Sequence, residues 1–452
     1  MSLRVLKPSP FLGALLAGLA ALSAAAAEPV PAVVPAAVPG TAVAPPPPVE
    51  VPAQVAAPVA ALVPAPASAS TFDDQARFLA GLPVSAGSPL AAWQDTPDYR
   101  DHVATMDKQW KLLSDRLDKA SDWQQAELAP RIQGRRNLIY FFGGPDAAHA
   151  VKLFPGAPIY LLAGLEPVGE IEAPEKMKFS QVHKAIDRLA SSLTTFMERS
   201  FFRTTEMGSD FQGHGIKGIL PVLALMLARS GATIDDIAYF EVDAKGVANG
   251  RPASQKWGPG VPGVRVRFHV ASQAPQEMLY VRVNLYNDDL ARQPGFLAWA
   301  RSFGPANSFL KAASFILHDH NFSKVRSLLL ETSAAVVEDD SGIPYRAFPR
   351  GEWEYTCFGR YLVPRKPFGS YFQEDLDKAC KAMPARPLPF MIGYRRPDDT
   401  FLLLAVRKGG AAPAWAPAAI GVPEAAPTMG PVPAATNVVP APAPAPATPP
   451  AR

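Results

Sequence analysis

Apolar positions change their period along the chain, and the change predicts an α/β protein. Over residues 98–127, Val103, Met106, Trp110, Leu113, Leu117 and Trp123 fall mostly three or four apart, the spacing of a helix with one buried face. Residues 137–142 are instead a short continuous run of Leu, Ile, Tyr and Phe, which predicts a buried strand. Gly143-Gly144-Pro145-Asp146 breaks that run. Pro145 suits the first turn of a helix, and Asp146 complements its positive end. A short helix to Phe154, a turn at 155–158 and a second apolar strand at 159–163 follow, closed by Gly164-Leu165-Glu166-Pro167. This strand–helix–strand unit implies a parallel pair with a right-handed crossover.

Residues 179–200 and 216–229 read as helices and 237–242 as a strand. Residues 264–270 and 278–286 alternate, predicting an antiparallel pair with one solvated face. Helices are expected at 309–317 and 323–330, and strands at 334–337, 390–394 and 401–406. The expected fold is α/β, a mixed sheet containing a Rossmann-like unit.

Composition narrows the folded part. Residues 28–70 and 411–452 are almost entirely Ala, Pro and Val, and each holds 12 of the chain's 50 prolines. Such segments favour extended spacers over a packed core, so both are expected to be disordered, flanking a globular unit at 71–410. Residues 1–27 pair a basic start, Arg4 and Lys7, with an uncharged run ending Ala25-Ala26-Ala27, the pattern of a cleaved signal peptide. An uncleaved anchor is the weaker reading, because the run falls short of the ~20 residues a span requires. The remaining apolar stretch, around Pro221, is short and bracketed by Lys217 and Arg229, so no transmembrane segment is expected after cleavage. The expected location is periplasmic or secreted, where nucleotide coenzymes are not normally supplied. Cys357 and Cys380 suit that compartment, either bridged or as two separate buried thiols. The 44 basic and 41 acidic residues leave a net charge of +3, which argues against a nucleic-acid partner.

Four places carry candidate chemistry. Gly143, Gly144 and Asp146 form a strand-to-helix turn, with His149 one helical turn further and Glu166 at the tip of the next strand, where Rossmann enzymes place a ribose-binding acid. The spaced three-glycine fingerprint is missing, Pro145 removes an amide donor, and Asp146 would repel a phosphate. Asp339 and Asp340 follow an apolar strand, as cation ligands, acid/base groups or a solvated acidic turn. His318 and His320 flank Asp319, and they share a metal only if the helix has ended there. His214 stands between two glycines before the most apolar stretch. No Gly-x-Ser-x-Gly elbow occurs.

The segments Phe142-Gly143-Gly144-Pro145-Asp146, Ala163-Gly164-Leu165-Glu166-Pro167-Val168-Gly169 and Asp339-Asp340-Ser341-Gly342-Ile343-Pro344-Tyr345 together resemble a family of exported bacterial proteins of unknown function. The resemblance implies export and carries no activity, cofactor or site. The expected role is therefore a module that binds a small molecule or an envelope component. Two alternatives stay open. One is a periplasmic hydrolase, metal-dependent or not, using Asp339, Asp340, His318 and His320. The other is a Rossmann-like cofactor-binding or methyltransferase-like relative, active or vestigial.

Overall fold

Strand β1 (Asn137–Phe141) sends Leu138 and Tyr140 into one hydrophobic core and Ile139 and Phe141 into another, because successive side chains on a strand point to opposite faces. A strand apolar on both sides must be covered on both. The computed structural model describes residues 70–132, 134–171, 218–252, 255–271, 273–366, 368–395 and 399–409. The signal-like segment, both Pro/Ala tails, the expected helix at 179–200 and His214 lie outside them.

The first core is roofed by helices α1 (Thr71–Leu79), α2 (Pro97–Trp123), α3 (Ala147–Leu153) and α4 (Leu220–Arg229). The second is covered by α5 (Asn287–Arg292), α6 (Gly295–Arg301) and α7 (Ser323–Thr332). Helix α2 starts where Thr96 accepts a hydrogen bond from the Tyr99 amide, with Pro97 at the first position. Its buried face includes Met106, Leu113, Leu117 and Trp123, as the spacing predicts.

The remaining strands are β2 (Ile159–Gly164), β3 (Ala232–Val242), β4 (Ala248–Arg251), β5 (Val261–Val270), β6 (Gln276–Arg282), β7 (Ala306–Leu310), β8 (Ser333–Glu338), β9 (Trp353–Gly359) and β10 (Phe401–Arg407). All ten form one mixed sheet, ordered β4-β3-β5-β6-β2-β1-β7-β8-β10-β9. Strands β6, β2, β1, β7 and β8 are mutually parallel. In chain order they lie third, second, first, fourth and fifth, the doubly wound Rossmann arrangement. Strand β10 is inserted antiparallel between β8 and β9, and β5, β3 and β4 extend the other edge antiparallel. After β1 the chain goes to α3 on one face; after β7 it goes to α7 on the other. That divergence makes the switch point at which open α/β sheets bind ligands. Among the described residues no helix is long and apolar enough to cross a membrane.

Three expectations are corrected. Residues 309–317 are not a helix: Phe309 and Leu310 end strand β7, and a 3-10 helix covers Ala313–His318. Every β7 residue is buried, and a short apolar run buried on both faces reads the same as a core helix. Residues 390–394 are not a strand. Phe390 and Ile392 pack into the first core, but Gly393 has φ +60°, which breaks any ladder. The outward face of the β5–β6 pair is solvated only in part: Arg267 is exposed, but Arg265 is only 3% exposed and donates to Asp236.

Candidate functional site

The polar groups gather at the carboxyl ends of the parallel strands. Asp146 caps α3, its Oδ1 accepting from the His149 amide at 3.2 Å and lying 2.9 Å from His149 Nδ1. Its Oδ2 accepts from the Tyr140 hydroxyl at 2.7 Å and pairs with Lys311 Nζ at 2.5 Å. Lys311 directly follows β7, so this ion pair spans the switch point between β1 and β7. Asp146 is fully buried, and His149 and Lys311 are 1% and 3% exposed. Burial pushes the Asp146 carboxyl up, but the charges and hydrogen bonds of His149 and Lys311 outweigh it and hold it well below the usual carboxylate range. Burial lowers both His149 and Lys311 from their ordinary values, Asp146 opposing it in each case. The unit is therefore built around the Asp146 carboxylate, with burial opposing the charged form of both nitrogen partners.

The glycine turn serves this arrangement. A Cβ on Gly143 would lie 2.5 Å from Tyr140 Cζ, so the glycine makes room for the tyrosine ring that reaches Asp146. Phe142 (φ 65°), after β1, and Ala312 (φ 63°), after Lys311, both lie in the left-handed region, the strained backbone that collects at special sites. Glu166, 6% exposed, stands apart from this unit; the Tyr280 hydroxyl donates to its carbonyl at 2.9 Å.

The acidic segment after β8 is a buried structural knot, not a solvated turn. Glu338, Asp339 and Asp340 are each 2% exposed. Glu338 accepts from the Ile343 amide at 2.8 Å. Asp339 accepts from the amides of Ala312 and Ser341, each at 2.8 Å, and from the Ser341 hydroxyl at 2.5 Å. Asp340 pairs with Arg395 at 2.7 Å. Burial, with the charge of Asp340, pushes the Asp339 carboxyl up to about 7. It also raises Asp340, against the pull of Arg395, and lifts Glu338 well above its ordinary value.

His318 and His320 do not join these acids. Among the described residues, no hydrogen bond or ion pair links either histidine to Asp339 or Asp340. His320 is a surface residue, 77% exposed and paired with Asp319. His318 lines a cleft of ≈ 600 Å³ between the loops after β7 and β8 and the segment that follows β9, together with Arg346, Tyr371, Gln373, Asp375 and Lys378. Its ring packs edge-on against Tyr371 at 5.1 Å, and its Nε2 is buried without a partner. Burial pushes its pKa down to about 4, with a backbone hydrogen bond to Gly342 acting the other way. Tyr371 and Phe368 continue as a stack on Phe315. Among the described residues, no three His, Cys, Asp or Glu side chains converge as a metal would require. Cys357 and Cys380 form a disulfide.

Sequence reading located Asp146, His149 and the glycines, but missed Lys311, Tyr140, Arg395 and the wall at Tyr371. Lys311 was legible only if the preceding apolar run was taken as a strand, which puts a lysine at its carboxyl end. No protein-family model matches the chain, and no match emerges among curated proteins or solved structures.

Proposed function

We propose that the chain is an exported binding module on a Rossmann-like sheet whose coenzyme position is filled by its own side chains. The observation that carries this reading is the Lys311–Asp146 pair at the switch point. A dinucleotide or adenosyl coenzyme brings its charged part to that turn. Here it would meet a buried carboxylate already neutralised by an internal ammonium, and entry would require breaking a desolvated pair. The cleft lined by His318, Arg346 and Tyr371 supports a ligand one loop further along the same edge. It offers an aromatic ring for stacking, together with Arg346, Lys378 and Asp375, which make no ion pair among the described residues. These features suit a small ligand with a planar group and charges of both signs.

Export is supported by the opening segment and by the disulfide. The strand order and Glu166 at the tip of β2 favour the second reading in its vestigial form, a methyltransferase-like sheet that has lost its coenzyme. The hydrolase is less well supported, since no hydrogen bond or ion pair among the described residues joins His318 or His320 to Asp339 or Asp340, and Asp339 and Asp340 Oδ2 are engaged by the chain itself.

Calorimetry against S-adenosylmethionine and NAD, beside a melting-temperature screen of aromatic amino acids and related zwitterions, tests the proposal. Expected are no coenzyme binding and a stabilising zwitterion whose effect is lost in Tyr371→Ala and Arg346→Gln. Micromolar coenzyme binding abolished by Glu166→Gln would sink it.

A further inference from the structure

We propose a second ligand site at the opposite edge of the sheet, where the parallel strands begin, for a hydroxylated anion the size of a sugar phosphate or sugar acid. Two clefts, ≈ 430 Å³ and ≈ 240 Å³, meet there and share Ile132, Arg136 and Asn307. Asn307, on β7, is 4% exposed, and its carboxamide makes no hydrogen bond among the described residues; Oδ1 is fully buried and unpartnered. A polar group in that state is costly to the fold unless something outside the protein meets it. A carboxamide both donates and accepts, which matches the hydroxyl groups of a sugar.

The charge around Asn307 selects an anion. Arg131 and Arg407 line the first cleft but are paired at 2.8 Å with Glu127 and Glu352. The excess comes from Arg135 and Lys408 against a single acid, Glu354. Arg135 spends only its Nε, on the Gly156 carbonyl at 2.7 Å, and the Lys408 ammonium makes no ion pair among the described residues. Cations around a concave, low-dielectric wall concentrate their field inside it. The smaller cleft adds Gln124 beside Arg135 and Arg136, so the anionic end and the hydroxyls of one molecule have separate places.

Titration calorimetry at low salt with glucose 6-phosphate and with glucuronate, against inorganic phosphate and glucose, tests the site. At least one sugar anion is expected to bind tenfold or more tighter than either control. Asn307→Leu should weaken it at least tenfold while leaving the melting temperature equal or higher. The double substitution Arg135→Gln, Lys408→Gln, at exposed positions, should weaken it as much and flatten the dependence on salt. Absence of binding, equal affinity for phosphate and sugar anion, or unchanged affinity in the exposed double variant overturns the proposal.

Discussion

Lys311 Nζ and Asp146 Oδ2 lie 2.5 Å apart across the point where the chain leaves β1 toward one face and β7 toward the other. The pair joins two halves of the sheet that otherwise diverge there, and it does so without solvent, the side chains being 3% and 1% exposed. Its energetic value depends on both members being present.

Lys311→Met should therefore destabilise the protein by about 3–5 kcal/mol, because it leaves the Asp146 carboxylate buried and uncompensated. Lys311→Met combined with Asp146→Asn should recover part of that loss. Urea unfolding of the wild type, the single variants Lys311→Met and Asp146→Asn, and the double variant measures the cycle; a loss below about 1 kcal/mol in Lys311→Met would show the pair to be energetically idle.

Asp339 gives a pH signature of unusual sign. Its folded pKa is raised to about 7, so between pH 4 and 7 the native state holds more protons than the unfolded chain, and stability falls as pH rises through that window. His318, lowered to about 4, acts in the opposite sense over pH 4–6.5, as does the lowered His149 below its ordinary value, while the raised Asp340 and Glu338 act with Asp339, so the wild-type slope alone does not isolate Asp339. The comparison with Asp339→Asn does. The variant should gain stability relative to wild type as pH goes from 4 to 7.5, and a constant difference across that range contradicts the raised pKa.

Gly393→Ala should rank among the most damaging single changes. The added Cβ would lie 1.9 Å from Asp339 Oδ2, and the backbone there has φ +60°. Steric conflict with a buried, hydrogen-bonded carboxylate adds to the conformational penalty, and a loss on the order of 3 kcal/mol or more is expected. Thermal unfolding of the variant decides it; a loss under about 1 kcal/mol would mean that the loop moves aside freely.

The Cys357–Cys380 bridge closes a loop with a sequence separation of 23. Replacing both cysteines with serine should cost about 3 kcal/mol on chain-entropy grounds. Thiol titration of the purified, denatured protein should find no free thiol before reduction.

The sequence by itself determined the class of the fold and most of its elements. Continuous apolar runs at 137–141 and 159–163, split by a glycine turn with a helix-capping Asp146, suffice to specify parallel strands with a crossover, because local period and turn chemistry are written in neighbouring residues. The alternating stretch at 264–270 likewise gave β5. What only the tertiary structure decided is what those elements face. Whether Phe309 and Leu310 belonged to a strand depended on β1 and β8 lying on either side of them. Whether the acids after β8 were solvated depended on Ala312, Ser341 and Arg395 being brought to them. The partner of Asp146 stands 165 positions further along the chain, and no local pattern encodes a meeting at that separation. It follows from the order in which the strands are laid side by side, and the same order brings Asn307 to the junction of two clefts on the far edge.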